Sequence, residues 1–395
     1  MNQRYLIFIS FLLLIILLAA GFTIANHKRL WNDEIYTQVG IEKNSYGRII
    51  SGKIEEGNNA PLYYLVQKIV NQLIHYSSPM GWRQSLASWK VNHQPSRLML
   101  RITPVIYMSF AIVAIFYYFS RYYSIWTGLY SLFITFASLM VWRYWAEARP
   151  YGLWVLLTTI QSLLFLHILN YKDLVKKIWP WLIVVNVLLA LTSFLSITQT
   201  IIISVLLAIW VERDWKKYIW FAGVPLLISL YYYFHAPSPG YFEFSLTPDQ
   251  LIRECFSRER FYLLYLFLLY FGLYALQKKT RFPSLYKTDV ILKAIPYFMF
   301  TILMLLAVGL ILLIFKIKER HVEGLLVVPI ASRHFINLTP IGIIAVTLIT
   351  HQLLKSFRDK PWMQILIAMG VGSLVVPRFF KTVKELKNYF QGLFG

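Results

Sequence analysis

The acidic pair Asp33-Glu34 is the first group of residues in this chain that could do chemistry. It follows a long apolar segment, in which no side chain between Arg4 and His27 carries a charge. A segment of that length can cross a bilayer, so the two carboxylates are expected where the first span emerges. A carboxylate at such a boundary is a candidate general acid or base. The alternative is an ordinary solvated loop, and a short acidic motif alone does not decide between the two.

Three later tracts group charged, aromatic and proline residues. They are Asn59-Ala60-Pro61-Leu62-Tyr63-Tyr64, Tyr144-Trp145-Ala146-Glu147-Ala148-Arg149-Pro150-Tyr151 and Pro329-Ile330-Ala331-Ser332-Arg333-His334-Phe335. Arg149 and Arg333 are the arginines of the last two tracts, and Arg97 and Arg101 lie at the start of an apolar block.

Each of these charged residues also has a structural interpretation. Glu147 and Arg149 lie two apart, so they would not face each other on a helix, but in a loop they could form an ion pair. Arg333 could anchor the chain at a membrane interface. Arg97 and Arg101 form an i, i+4 pair at the start of an apolar block, a pattern that favours headgroup contacts.

The aromatic and histidine candidates have weaker patterns. Tyr63 and Tyr64 are typical of the aromatic belt at a membrane interface. His235 and His321 lack the spacing of metal ligands. The single cysteine, Cys255, excludes both an intramolecular disulfide and a cysteine cluster for a metal. We therefore predict no metal ligands, and a divalent ion shared by the acidic pair is left open.

The composition is that of a membrane protein. The 395 residues are 58% hydrophobic and 14% charged, whereas soluble domains carry about 25% charged residues. Apolar residues come in blocks of about 20, the length of a spanning helix, and not in the alternation of a membrane barrel. The net charge of +21 would suggest nucleic acid in a soluble protein. Here the basic residues lie between spans beside Trp and Tyr, which favours membrane lipids and lipid phosphates as partners and no nucleic acid.

We predict an all-α polytopic membrane protein, one domain over residues 1–395, with about eleven (10–12) spans. The apolar blocks lie near 5–26, 98–119, 122–141, 151–169, 178–195, 197–211, 217–234, 261–276, 291–315, 335–353 and 362–376. With a cytoplasmic N-terminus, the short Lys-rich loops lie inside and the segments 27–97, 235–260 and 316–334 lie outside. The acidic pair and the three tracts then face the outer side of a membrane, as expected for the cytoplasmic membrane of a bacterium.

Two segments are expected to lie along the membrane surface. The first outer loop, 27–97, is too long for a simple connector, and its apolar residues after Pro61 recur at helical spacing. Pro61 itself suits a first helical turn. We predict one or two interfacial helices there, which would roof a cavity and hold the acidic pair. At the far end, residues 377–395 predict a basic amphipathic helix, most simply an anchor.

Taken in order, these tracts resemble those of the GT-C glycosyltransferases, in the branch related to protein O-mannosyltransferases and bacterial lipid A aminoarabinose transferases. Members typically show Asp-Glu in the first outer loop, then His-Pro-Pro-Leu-Tyr-Tyr, then Gln-Glu-Ala-Arg-x-Tyr, and often Ser-Arg-Tyr before a late span. The matching tracts here are Asp33-Glu34, Asn59-Ala60-Pro61-Leu62-Tyr63-Tyr64, Ala146-Glu147-Ala148-Arg149-Pro150-Tyr151 and Ser332-Arg333-His334. The resemblance covers the first 170 residues well, and the rest by topology and the Arg333 tract.

The resemblance implies a GT-C-like fold and transfer of a sugar from a polyprenyl-phosphate donor to an acceptor on the outer face, with inversion at the anomeric carbon. Asp33 would be the general base that takes the acceptor proton, while Glu34 would orient Asp33, bind sugar hydroxyls or share a metal. The donor phosphate would be bound by Arg149 and Arg333, with Arg97 and Arg101 in support. Further substrate contacts are expected from Glu147, Tyr63, Tyr64, Tyr151, His334 and Asn59. The acceptor would be a glycan, a lipid or a protein.

Two departures from the family pattern matter. Asn59-Ala60 stands where the family has His-Pro, so a role for that histidine is not carried over. His334 stands where the family has tyrosine after the late arginine, which removes the contact of a tyrosine hydroxyl.

Two other classes of protein remain open. A different lipid-linked glycan enzyme, such as an O-antigen polymerase or ligase, would rely on basic residues of later outer loops and would need no acidic pair after the first span. A transporter or flippase for lipid-linked glycans would show polar or broken helices near mid-membrane and paired halves.

Overall fold

The structure is a computed structural model of the chain. It describes residues 3–28, 30, 32–54, 60–74, 94–212, 215–235, 295–317, 320–322, 325–327, 332–357 and 361–394. These residues are mostly helical. The α-helices are α1 (Gln3–His27), α2 (Asn32–Lys43), α3 (Tyr46–Ile50), α4 (Leu62–Leu73), α5 (Gln94–Tyr122), α6 (Ile125–Ala137), α7 (Leu139–Tyr144), α8 (Tyr151–Asn170), α9 (Val175–Ala190), α10 (Ile197–Trp210), α11 (Trp215–Tyr218), α12 (Val224–His235), α13 (Ile295–Ile317), α14 (Leu338–Ser356) and α15 (Pro361–Phe394).

A short antiparallel ribbon and several tight turns complete the described chain. Strand β1 (Arg320–Val322) pairs with β2 (Leu325–Val327). Short 3-10 turns cover Lys172–Leu174, Phe194–Ser196 and Ser332–Phe335, and a π-helical turn covers Ile219–Gly223. The predicted helical class is therefore confirmed, with this ribbon as the exception within the described residues.

Five of the described helices are long and apolar enough to cross a membrane, judged by length and composition. These spans are Gln3–His27, Leu98–Tyr122, Tyr151–Asn170, Leu338–Lys355 and Gln364–Lys384, and shorter apolar helices cover Ile125–Ala137, Phe194–Trp210 and Ile295–Ile311. Several such helices in one chain are characteristic of an integral membrane protein. The predicted number of about eleven is not confirmed, and the predicted span at 261–276 lies outside the described residues.

Helix breaks account for part of the difference in number. The predicted span 122–141 is divided at Ser138, whose extended backbone (φ −86°, ψ 115°) separates α6 from α7. The block 217–234 is divided among α11, the π-helical turn and α12. Apolar composition alone does not reveal such breaks, because a buried loop residue and a helical one can have the same hydropathy.

Helix α5 packs against α1, α6 and α8, and α14 packs against α6 and α8. Two glycines allow close approach in this group. A Cβ at Gly21 of α1 would lie 2.7 Å from Val105 Cγ1 of α5, and one at Gly152 of α8 would lie 3.1 Å from the carbonyl oxygen of Pro104. Both contacts are within four residues of Arg101, so they fix the start of α8 and the end of α1 against the same part of α5.

The ends of these helices define two ends of the bundle. The end of α1, the beginning of α8 and the turn before α14 meet at one end, which we call the acidic-pair end because α2 begins there. At the other end Arg121 of α5 donates to Gln3 (3.3 Å) and Asn170 of α8 donates to Tyr123 (3.0 Å). We call this the opposite end.

The segment between α1 and α5 contains the helices α2, α3 and α4. Helix α4 lies where a helix was predicted after Pro61, α2 and α3 were not predicted, and residues 75–93 of the loop lie outside the described residues. Helix α4 begins directly after Pro61, as its sequence predicts. It buries Tyr63, Tyr64, Gln67 and Asn71, while Leu73 on its other side is 74% exposed. An amphipathic helix with its polar side inward and its apolar side outward suits contact with lipid, which remains a prediction here.

The last helix differs from the predicted separate segment 377–395. Helix α15 continues through Pro377 to Phe394 without interruption. Its second half is held on α6, because the buried Thr382 hydroxyl donates to the Ala137 carbonyl (2.9 Å) and the Phe379 ring packs on Phe133 (5.2 Å). The basic residues are therefore part of one long helix that begins at Pro361.

Candidate active site

Three of the four sequence tracts meet at the acidic-pair end. Asp33 and Glu34 lie in the first turn of α2, where carboxylates are favoured by the helix dipole. The turn 145–150 between α7 and α8 brings Arg149 to this point, and the 3-10 turn Ser332–Phe335 before α14 brings Arg333. Residues separated by more than 100 positions in the chain are thus neighbours in space.

Asp33 lies between two arginines. Its carboxylate Oδ2 is 3.0 Å from Arg333 Nη1 and 3.8 Å from Arg149 Nη1. Arg149 Nη1 also donates to the main-chain oxygen of Asp33 (3.2 Å). The side chains are accessible, with 25% of Asp33, 13% of Arg149 and 17% of Arg333 exposed. This cluster of one carboxylate and two guanidinium groups is open to a ligand.

Glu34 is in a different environment, because it is buried with Arg101 of α5. Arg101 Nε donates to Glu34 Oε1 (2.8 Å) and Nη2 donates to Oε2 (2.6 Å). The Ala148 N–H also donates to Oε1 (2.7 Å). Both side chains are fully buried. Burial alone would raise the pKa of Glu34, but the Arg101 charge and hydrogen bonds, with help from Lys28 and Ala148, hold this pKa below its ordinary value.

The same guanidinium group binds the end of α1. Arg101 Nη1 donates to the carbonyl oxygen of Ala25 (2.9 Å) and also to that of Lys28. Carbonyls in the last turn of a helix lack partners within the helix, so a cation there is favourable. Arg101 and Glu34 together join α1, α2, α5 and the turn 145–150. The pair thus fixes the position of the backbone that carries Asp33 and Arg149.

A second buried ion pair lies beside the first. Lys28 Nζ is 3.4 Å from Glu147 Oε2 and donates to the Arg143 carbonyl oxygen (2.7 Å). Burial lowers the pKa of Lys28 although Glu147 opposes this shift, and burial raises the pKa of Glu147 although Lys28 opposes it. The predicted alternative was an ion pair of Glu147 with Arg149, whereas in the structure Glu147 pairs with Lys28 and Arg149 is directed to Asp33.

Tyr151 packs beside the cluster of Asp33, Arg149 and Arg333. The Arg149 guanidinium lies over its ring (5.7 Å to the centroid), and the Tyr144 ring packs edge-on against it (5.0 Å). The Tyr151 hydroxyl is buried and makes no hydrogen bond with the described residues. Tyr151 thus supports Arg149 from the side that faces away from solvent.

The other predicted site residues lie in varied places. Arg101 is buried on Glu34, a position that fits a positioning role and leaves no access to a donor phosphate. Tyr63 and Tyr64 are fully buried in the core, in contrast to an aromatic belt. His334 is half-buried next to Arg333. Arg97 lies in α5, but its side chain is outside the described residues, and so is Asn59. No group of three His, Cys, Asp or Glu side chains that could hold a metal occurs within the described ranges.

Sequence reasoning missed Lys28 and the polar network inside the bundle. Gln161 of α8 donates to Asn186 Oδ1 (2.6 Å) and Thr200 Oγ1 (3.2 Å). Gln199 of α10 donates to Gln161 Oε1 (2.9 Å) and accepts from Asn337 Nδ2 (2.8 Å). All five side chains are buried. The sequence signal for this network was the single amide side chains within apolar blocks, because polar side chains are rare in membrane spans unless they have a function.

This network is connected to the candidate site through Asn337. That residue lies two positions after the turn Ser332–Phe335 and directly precedes α14. Gln161 lies about 15 Å along α8 from Tyr151, at 1.5 Å per residue, which is about the middle of that helix. The segment that carries Arg333 is thus tied to the interior of the bundle.

The chain was compared with known proteins. The chain matches no protein-family model, and a search of curated proteins finds no match.

Proposed function

We propose that this protein is a membrane glycosyltransferase of GT-C type, which transfers a sugar from a polyprenyl-phosphate donor to an acceptor on the outer face of the membrane. The observation that carries the proposal is the cluster of Asp33, Arg149 and Arg333. Three tracts that are far apart in the chain place one accessible carboxylate within 4 Å of two guanidinium groups. Such a cluster has both groups that this transfer needs, a base and a cationic phosphate site.

The transfer is assigned to the residues as follows. Asp33 takes the proton of the acceptor hydroxyl, whose oxygen attacks the anomeric carbon from the face opposite the leaving group. The bond between that carbon and the phosphate oxygen breaks, and Arg149 and Arg333 stabilise the negative charge that develops on the lipid phosphate. Glu34 and Arg101 are positioning residues, because neither side chain is accessible to substrate.

The decisive experiment is a transfer assay on the full chain in lipid nanodiscs with a panel of polyprenyl-phosphate sugars. We expect donor cleavage or transfer from at least one member of the panel. Asp33→Asn should lower the rate by about 100- to 10,000-fold, the contribution of a general base.

The matched control is Asp173→Asn, because Asp173 is an exposed aspartate in the turn after α8, at the opposite end. It should retain the full rate. An Asp33→Asn protein as active as the wild type would disprove the assignment of the base. No cleavage of any donor would count against the enzyme itself.

One observation favours a second candidate, a transporter or flippase for lipid-linked glycans. Buried amides of α8, α9 and α10 meet near mid-membrane, where such proteins place their binding sites. In the structure these amides bond to each other, which suits a structural role equally. Movement of a fluorescent polyprenyl-phosphate sugar across liposomes that contain the protein, without sugar transfer, would favour this candidate.

A further inference from the structure

The contact between Asp33 and the two arginines has a chemical consequence for the site. Guanidinium groups bind carboxylate and phosphate oxygens with the same N–H donors. In the structure the Asp33 carboxylate lies on Arg333 at 3.0 Å and beside Arg149 at 3.8 Å. It therefore occupies donors that a lipid phosphate would use.

We propose that the Asp33 carboxylate and the phosphate of the lipid donor compete for Arg149 and Arg333, so that donor binding releases Asp33. This inference rests on the proposed function and describes how the same site is regulated. Without donor, the carboxylate fills the phosphate site. With donor, the phosphate takes the arginines, and the carboxylate turns to the acceptor.

The surroundings of Asp33 allow such an exchange. A quarter of its side chain is exposed, and its carboxylate forms ion pairs with Arg149 and Arg333. Arg149 stays in place when the carboxylate leaves, because its Nη1 also donates to the Asp33 main-chain oxygen (3.2 Å) and its guanidinium lies over the Tyr151 ring. The phosphate site is therefore kept while its occupant changes.

The neighbouring carboxylate, Glu34, forms a buried ion pair that contrasts with the partly exposed one of Asp33. Glu34 is fully buried, and it accepts two hydrogen bonds from Arg101 and one from the Ala148 N–H. Removing a partner from such a buried pair is strongly destabilising, whereas a partly exposed pair contributes little to stability. A lipid phosphate can thus displace Asp33 and leave Glu34 bound.

The exchange sets the order of the reaction. While the Asp33 carboxylate is paired with the arginines, it does not take the acceptor proton. Once the phosphate has replaced it, an Asp33 oxygen takes that proton as the acceptor oxygen bonds to the anomeric carbon. The bond from that carbon to the phosphate breaks, and the lipid phosphate leaves with the electron pair, held by Arg149 and Arg333. The donor must therefore bind before the acceptor is activated.

Equilibrium binding of dodecyl phosphate to the full chain in nanodiscs tests the exchange without sugar or acceptor. We expect Asp33→Asn to bind this probe about tenfold more tightly, because a charged competitor for the arginines is removed. Asp33→Ala should also bind more tightly, and the control Asp173→Asn should match the wild type. Folding of each variant is checked by size exclusion and tryptophan fluorescence. Unchanged or weaker binding by folded Asp33→Asn and Asp33→Ala overturns the proposal.

Two further arms identify the site and the ligand. Arg333→Gln should weaken binding of dodecyl phosphate and should abolish the gain from Asp33→Asn, while Arg48→Gln, at an exposed arginine of α3, should do neither. Inorganic phosphate should not compete at millimolar concentration, and equal affinity for it overturns the lipid component. If Asp33→Asn binds dodecyl phosphate more tightly but the wild type transfers no sugar, the exchange is supported and the proposed enzyme activity is disproved. If the wild type transfers sugar but Asp33→Asn binds no more tightly, the enzyme activity is supported and the exchange is disproved.

Discussion

Asp33 and Glu34 are adjacent in the chain, and their side chains meet different surroundings. The first is a quarter exposed between Arg149 and Arg333, and the second is buried on Arg101. Helical geometry produces this difference, since neighbouring residues point about 100° apart around the α2 axis. The motif Asp-Glu therefore combines a residue that can contact substrate with one that fixes the backbone below it.

At the residue scale, Glu34→Gln tests the fixing role. The change leaves the Arg101 guanidinium buried without its counter-ion, which should lower the free energy of unfolding by about 3–5 kcal/mol. The control is Glu42→Gln, at an exposed glutamate of the same helix, which should cost less than about 1 kcal/mol. Thermal unfolding in detergent, followed by tryptophan fluorescence, measures both.

The pH dependence of stability gives a second test of Glu34. Its pKa is lower in the folded protein than its ordinary value of 4.5, so ionised Glu34 stabilises the fold above that pH. This contribution is lost as the pH falls through the folded pKa. We expect the unfolding temperature of the wild type to drop as the pH falls below 4.5, and that of Glu34→Gln to drop less. Parallel pH profiles of the two proteins would contradict the ion pair.

At the scale of elements, the position of Arg333 depends on the turn Ser332–Phe335, and this turn depends on Asn337. The Asn337 amide donates to Gln199 Oε1 of α10 (2.8 Å), deep in the bundle. Gln199→Leu removes the acceptor, and a buried amide without its partner costs about 1–3 kcal/mol. We expect the segment to shift in order to avoid this cost, and binding of dodecyl phosphate to weaken by about tenfold.

The control for that variant is Thr347→Val, which removes a buried hydroxyl that donates within its own helix to Ile343 (2.8 Å). It should leave phosphate binding unchanged. If Gln199→Leu and Thr347→Val lower the unfolding temperature alike and neither changes phosphate binding, the network is a stability feature without influence on Arg333.

The sequence predicted elements better than the contacts between them. Apolar runs located α1, α5 and α8, and Pro61 located the beginning of α4. These signals are local, because length and periodicity are read within one segment. The pairing of Glu34 with Arg101 joins residues 67 positions apart. No local pattern specifies such a contact, so Arg101 was predicted as a phosphate ligand. The break at Ser138 was missed for a related reason, since its neighbours on both sides are apolar.

At the scale of the whole molecule, apolar side chains on the outside of the bundle mark a lipid-facing surface. Exposed examples lie on α1, α10, α12 and α15, and they include Phe8, Phe11, Val205, Ile209, Leu227, Phe234, Ile365 and Met369. A soluble protein rarely exposes so many large apolar groups together, whereas a bilayer contacts them without penalty. The acidic-pair end and the opposite end should then lie on different sides of the membrane.

Cysteine labelling tests that arrangement. In a Cys255→Ser background, Gly47→Cys places a thiol in α3, where added atoms meet open space, and Asp173→Cys places one in the exposed turn after α8. A membrane-impermeant maleimide added to intact cells should label the first and spare the second until the membrane is opened. Labelling of both from the outside would contradict opposite placement of the two ends.

The long separation between Glu34 and Arg101 also has a consequence for synthesis of the chain. The ribosome adds 67 residues, the last of them Arg101, after Glu34 has been made, which takes about 3–13 s at 5–20 residues per second. Throughout that interval the last carbonyls of α1 and the nearby glutamate lack their permanent cation. The end of α1 is therefore completed only after the beginning of α5 has been synthesised.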